Sequence, residues 1–196
     1  MNTLTYIGRY KDVLGYNDNM KIFSKENITK DEINSIKEWT EDSSTIKQYM
    51  WGLTDDVVAK KHSKNLFGLF DKYKPNIKSD TVLYRGMSFS KEDFEYFGYD
   101  KIVKNTYDTP DNMAIVSFST DKKKAFEYAT VSKNNNYKVA YILQNETKAL
   151  DISKISTKSS EKENIITKAR KYKVVYTREF KRGDELWLVI KLKMEI

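Results

Sequence analysis

Two carboxylates separated by one residue, Glu161 and Glu163, stand directly before the apolar pair Ile165-Ile166. At the two-residue repeat of a β-strand, such side chains point to one side. The pair is therefore expected to face one cavity, with Lys162 turned away. Like charges held that close cost free energy unless something uses them. The plainer reading of Glu-Lys-Glu in a lysine-rich chain is a solvated strand entry. Arginine occurs only at 9, 85, 170, 178 and 182, and Arg85 alone ends an expected apolar strand, Thr81-Val82-Leu83-Tyr84, with Gly86 beside it. A guanidinium there can take a diphosphate by a bidentate fork, or pair a nearby carboxylate as a structural arginine. Ser119 and Thr120, at the end of a second strand pattern, can bond a ligand, orient a carboxylate or cap the next helix.

What is missing narrows the chemistry further. The 196 residues contain no cysteine and one histidine, His62, expected as a surface residue in a helix. Disulfides, thiolate nucleophiles, Cys/His zinc sites and Ser-His couples all fall away, and no metal site is expected. Acid–base work near neutral pH is left to carboxylates, lysine or tyrosine. The seven glycines are scattered, so neither a P-loop nor a Gly-x-Gly-x-x-Gly turn is present. A phosphorylated ligand would have to be held by side-chain cations.

The net charge of +7 suits an anionic partner, though a lysine-heavy coding bias gives the same number. The N-terminus has no apolar signal core, and no apolar run is long enough to span a bilayer. A cytoplasmic location, in its own cell or a host's, is expected, with no membrane partner.

Several elements must position these groups. Residues 1–24 show no firm period. Thr29 followed by Glu32 is a capping-box pattern opening a helix with Ile33, Ile36 and Trp39 on its apolar face. A second helix carries Ile46, Tyr49 and Met50. A third runs from Thr54 to about Lys72 with Val57, Val58, Leu66, Phe67, Leu69 and Phe70, and Pro75 closes this lobe. Residues 88–112 read as loop or short helix (Glu92 to Phe97). Strands follow at 113–118, 137–143, 149–152 and 165–166, with a helix from Lys122 to Thr130 capped by Asp121. Two long alternating strands, Tyr172 to Phe180 and Glu185 to Leu192, close the chain around Lys181-Arg182-Gly183-Asp184. Helices first and mostly strands after read as α+β: an N-terminal helical lobe packed on a two-sheet, mostly antiparallel core. One domain over 1–196 is expected, with 25–75 as the lobe and 80–196 as the β-rich core.

In order, Tyr84-Arg85-Gly86, Ser119-Thr120-Asp121 and Glu161-Lys162-Glu163 resemble the Arg–Ser–Glu class of mono-ADP-ribosyltransferases. That class includes clostridial binary toxins, insecticidal VIP-type toxins and small transferases of T4-like phages. In it an aromatic-Arg begins the core, a Ser-Thr-Ser follows, and a Glu-x-Glu precedes a strand. The resemblance covers about residues 25–196. Asp121 departs from the third position of Ser-Thr-Ser, and Thr167 and Ala169 replace the Pro and Gly often found after the Glu-x-Glu strand. The aromatic that stacks on nicotinamide has no assigned counterpart, Tyr128 and Tyr137 being the candidates.

The resemblance implies NAD as co-substrate, with Tyr84, Arg85, Gly86, Ser119 and Thr120 binding it and Arg85 on its phosphates. Glu163 would hold the ribose 2′-hydroxyl and stabilise an oxocarbenium-like transition state, oriented by Ser119. Glu161 would orient or deprotonate the acceptor. A glutamate rather than glutamine at this first position is the class's mark of arginine acceptors, so a host protein arginine is implied. Two alternatives stay open. One is an NAD glycohydrolase with water as acceptor. The other is a non-catalytic basic binder of nucleic acid or protein, with Lys168-Ala169-Arg170-Lys171-Tyr172-Lys173 as its footprint. That run can also steer a transferase to a ribosomal or other anionic target, or form a solvated strand face.

Overall fold

The capping box written into Thr29 and Glu32 forms. In the computed structural model, which describes residues 20–78, 80–102, 115–132, 134–144, 149–167 and 172–194, the Thr29 hydroxyl accepts from the Glu32 amide at 3.3 Å. Glu32 Oε2 accepts in return from the Thr29 amide at 2.8 Å. Helix α1 (Lys30–Glu41) follows, then α2 (Ser44–Met50) and α3 (Val57–Lys72). Ile36, Trp39, Ile46, Leu66 and Leu69 share one buried core, with Ile33, Met50, Phe67 and Phe70 packed against it. Val57 and Val58 do not join it. Asp56 caps α3, so both valines fall in the outward first turn, 78% and 61% exposed. His62 is half-buried rather than a surface residue, its Nδ1 2.9 Å from Ser35 Oγ.

The chain forms two compact units. Of the described residues, the first holds 20–77, 115–116 and 149–167. Besides the three helices it contains the parallel pair β1 (Lys21–Ile22) and β2 (Tyr73–Lys74), which the sequence does not announce because two residues carry no alternation. Strands β6 (Leu150–Asp151) and β7 (Glu163–Thr167) pair antiparallel, Leu150 opposite Ile165. Leu150 and Ile165 of these strands, with Ile152 and Ile155 just after β6, extend the helical core.

The second unit holds residues 78, 80–102, 117–132, 134–144 and 172–194. Strand β4 (Ile115–Ser119) begins in the first unit and ends in this one. Here the strands run in the order β4, β3 (Leu83–Phe89), β5 (Tyr137–Gln144), β9 (Glu185–Met194), β8 (Tyr172–Arg182). Here β5 and β9 are parallel, while β3 with β4, β3 with β5 and β8 with β9 are antiparallel. The expected α+β class is therefore found. The β8–β9 hairpin needs only Gly183 and Asp184 as its turn, since Arg182 pairs Glu185, and Gly183 supplies the φ of +61°. Helices α4 (Lys91–Tyr96), α5 (Tyr99–Ile102) and α6 (Lys122–Thr130) complete the unit. Among the described residues no helix is long and apolar enough to cross a membrane.

Glu32 is 2% exposed, a charge that burial alone would drive toward its protonated form. Burial pushes its carboxyl up, but bonds from Lys72 (2.8 Å), Thr29 and Tyr73 (2.9 Å) outweigh it and hold the group below the usual 4.5. Burial, and then the neighbouring carboxylate, push the Tyr73 phenol up from 10.0 to about 12. The Glu32 contribution to stability is complete above 4.5 and is lost as pH falls through its lower folded value. The Tyr73 contribution is complete below 10.0 and is lost as pH rises toward about 12. Thermal melting across pH should therefore fall off at both ends. Glu32→Gln should lower the melting temperature at neutral pH and flatten the acid limb.

Candidate active site

The three motifs divide between the two units: Arg85 and Ser119 belong to the second, Glu161 and Glu163 to the first. Arg85 is the third residue of β3, inside the strand rather than at its end as its sequence suggests. The strand continues through Gly86 because β5 pairs it residue for residue from Leu83 to Phe89. Tyr84 meets Phe126 of α6 edge-on at 6.4 Å, and Gly86 lies beneath Ala125 of the same helix. Alternation then sends Arg85 to the face opposite α6. Its Nη1 donates to the Ser117 carbonyl at 3.0 Å, and its Nε points at Met87 Sδ at 3.2 Å. The guanidinium is thus aimed by a neighbouring strand's backbone and a thioether.

That face of β3 is aromatic. Register places Arg85 opposite Tyr141 and Phe89 opposite Tyr137. Phe94 of α4 packs on Tyr137 at 4.9 Å and on Tyr99 at 5.4 Å, while Tyr141 donates to the Tyr99 hydroxyl at 3.3 Å. Tyr137, one candidate for a stacking aromatic, is engaged in this cluster. Tyr128, the other, is 46% exposed on α6.

Gly86 owes its identity to packing. A Cβ there would lie 1.9 Å from the Ala125 carbonyl oxygen and 3.1 Å from the Ala129 Cβ. Backbone therefore rests on backbone, and the helix that follows Ser119-Thr120-Asp121 is seated directly on the strand that carries Arg85. Ser119 ends β4 opposite Tyr84, 8% exposed, and its Oγ accepts from the Asp121 amide at 2.9 Å. Asp121 Oδ1 accepts in turn from the Lys123 and Lys124 amides, as an N-cap should. Thr120 is exposed between them. The Ser-Thr-Asp motif is a working helix cap, and that function sits on the same atoms as any ligand contact.

The glutamates depart from the geometry their spacing suggests. Glu161 ends a single 3-10 turn (Ser159–Glu161), Lys162 is left-handed at φ 49° and ψ 48°, and only Glu163 enters β7. The two carboxylates therefore are not strand neighbours on one face; a turn, not a pleat, relates them. A lysine in that conformation is strained by roughly 1–2 kcal/mol. Asn164, 1% exposed, helps to hold it by donating Nδ2 to the Lys162 carbonyl at 2.9 Å.

Glu163 is 7% exposed, and its Oε1 accepts from the Trp39 indole Nε1 at 3.1 Å. Sequence reasoning takes Trp39 as one more apolar residue of α1, and the helical period indeed puts it in the core. No spacing signal links it to a residue 124 positions away. The neighbouring residues of the same turn hold the approach to the glutamates. Thr40 Oγ1 lies 3.1 Å from Thr157 Oγ1 and accepts from the Thr157 amide at 3.2 Å, and Lys158 Nζ donates to the Glu41 carbonyl at 3.3 Å.

Among the described residues no cluster of three or more His, Asp and Glu is arranged to hold a metal ion. Most of the basic run from 168 to 173 lies outside the described residues; Tyr172 and Lys173 begin β8.

Solved structures show where this architecture recurs. The chain superposes on Plx2a, an ADP-ribosyltransferase toxin from Paenibacillus larvae, with a TM-score of 0.61, 14% identity and coverage of 88% of this chain and 89% of that one. It matches Vis, an ADP-ribosyltransferase from Vibrio splendidus solved with agmatine, with a TM-score of 0.61, 14% identity and coverage of 99% and 85%. Exoenzyme S from Pseudomonas aeruginosa, solved bound to carba-NAD and with human 14-3-3 protein beta, gives a TM-score of 0.58 at 13% identity over 83% and 74%. No protein-family model and no curated protein matches the sequence. The fold is that of the ADP-ribosyltransferases, and the likeness survives in three dimensions where little sequence identity remains.

Substitutions at two positions probe this geometry. Gly86→Ala should destabilise the protein by about 1–3 kcal/mol or more, because a helix backbone rather than a flexible side chain stands in the way; chemical denaturation reads it. Lys162→Gly should melt at or above the parent, whereas Lys162→Val, β-branched at a positive φ, should melt clearly below it.

Proposed function

We propose that this protein is an NAD-dependent mono-ADP-ribosyltransferase that modifies an arginine side chain of a target protein and releases nicotinamide. The observation that carries the reading is a buried glutamate, held by an indole, at the first residue of β7 in a chain with the ADP-ribosyltransferase fold. The carba-NAD bound to exoenzyme S supports NAD as the co-substrate. The agmatine bound to Vis supports a guanidinium acceptor, since agmatine carries the same group as an arginine side chain.

In this reading the bond between the nicotinamide nitrogen and the ribose C1′ breaks, and its electron pair leaves with neutral nicotinamide. The ribose becomes oxocarbenium-like. Glu163, holding the 2′-hydroxyl, places negative charge where positive charge develops. Arg85 neutralises the diphosphate, and Ser119 orients the ribose end. A guanidine nitrogen of the acceptor attacks C1′ and gives up one proton. A free guanidinium has a pKa above about 12 and does not lose that proton unaided. Glu161, half-buried at the end of its turn, is the carboxylate assigned to bind the guanidinium and accept the proton. Products are ADP-ribosylated arginine, nicotinamide and a proton.

The test is incubation of the protein with labelled NAD and a bacterial lysate, beside Glu163→Ala and Glu161→Ala. A labelled protein band should appear with the parent. Glu163→Ala should lose both transfer and NAD cleavage by about 100-fold or more. Glu161→Ala should lose transfer while retaining much of the cleavage. Free ADP-ribose with no labelled macromolecule would instead indicate a glycohydrolase. Label in nucleic acid would change the acceptor class. Equal, small losses in both variants would remove the glutamate assignments.

A further inference from the structure

We infer that the last turn of α1 belongs to the catalytic apparatus, with Trp39 as the positioning residue for Glu163. The inference rests on the reading of Glu163 as catalytic and adds the element that aims it. An indole has one N–H and no acceptor, so toward a carboxylate it can act only as a donor. The Trp39 side chain is 2% exposed and Glu163 is 7% exposed, which keeps water from substituting for the 3.1 Å bond. The ring itself is fixed from two sides. It packs in the core with Ile36, Ile46 and Leu66, and the Lys47 ammonium stands 5.3 Å from its centroid.

Glutamate has three side-chain torsions, and a carboxylate free to explore them is a poor electrostatic partner for a developing cation. A displacement of about 1 Å can cost roughly 100-fold in rate. Fixing Oε1 removes that freedom and decides the direction in which the rest of the carboxylate points. Thr40 and Glu41, next to Trp39, bind Thr157 and Lys158, so the chain entering the Glu161–Glu163 turn is held by the same helix end. Three successive residues of α1 thereby engage the catalytic segment. The helical lobe on this account serves the chemistry directly.

The test compares Trp39→Phe with a protein carrying benzothienylalanine at position 39, which keeps the size of tryptophan and lacks the N–H. Both are assayed for NAD cleavage beside Glu163→Gln. Each Trp39 variant should lower kcat about 10- to 100-fold with KM for NAD changed less than about twofold. The acid side of the rate profile should move to higher pH, because a carboxylate that loses a donor holds its proton more tightly. The benzothienylalanine protein keeps the test decisive if Trp39→Phe folds poorly. A lower melting temperature with parental kcat and an unmoved acid limb would reduce Trp39 to packing and overturn the inference. If Glu163→Gln is inactive while both Trp39 variants are parental in kcat, only the positioning role fails. If Glu163→Gln is fully active, the functional reading falls and takes this inference with it.

Discussion

A buried carboxylate must be given donors, and in the first unit one helix takes part in satisfying two such groups, carrying one and donating to the other. Near its N-terminus, α1 carries Glu32, satisfied by Thr29, Lys72 and Tyr73. Near its C-terminus it extends the Trp39 indole to Glu163. Each bond to a charged partner is worth about 1.5–3 kcal/mol, and leaving either carboxylate unsatisfied would cost at least as much. The helix is consequently pinned in register at both ends, with its apolar face on the shared core between them. Rotation or sliding of α1 would break one network or the other, so the direction of Glu163 follows from the packing of the whole helical lobe.

The second unit solves a different problem, the placement of a cation on a strand. Arg85 faces away from α6 because its neighbours Tyr84 and Gly86 face toward it, and Gly86 is there because the α6 backbone leaves no room for a Cβ. The same helix begins at the Ser119-Thr120-Asp121 cap. One close approach therefore ties the Arg motif to the Ser motif: α6 is capped by one and seated on the strand of the other. A residue class that looks like a ligand contact in the sequence, glycine beside arginine, is here explained by packing.

Several residues of the proposed site, or beside it, carry structural duty in their own units. Ser119 caps a helix, Asn164 holds a left-handed lysine, and Trp39 fills a core. On the proposed function such double use ties the site to the fold, since a shift of any of these groups also loosens packing or a cap. The same architecture recurs in proteins only 13–14% identical to this chain.

Much of this was legible along the chain because it is local. The capping box at Thr29, the Asp121 cap, the three helical periods and the closing hairpin depend on residues within a turn or two of one another, and the α+β class follows from their order. The three motifs were legible as residue types in sequence. Their geometry was not. The strand spacing of Glu161 and Glu163 gave way to a 3-10 turn because Lys162 takes a positive φ stabilised by Asn164, a choice no period announces. Arg85 lay inside a strand rather than at its end because β5 offered a full set of backbone partners. Val57 and Val58 looked like core and were left exposed, because apolarity says nothing of which way a first turn faces. The sequence by itself determined which groups are available and on which kinds of element they ride, since propensity and capping act over a few residues. Only the tertiary structure decided which atoms meet, because the Trp39–Glu163 bond joins positions far apart in the chain, and such pairings exist only after the intervening chain has packed.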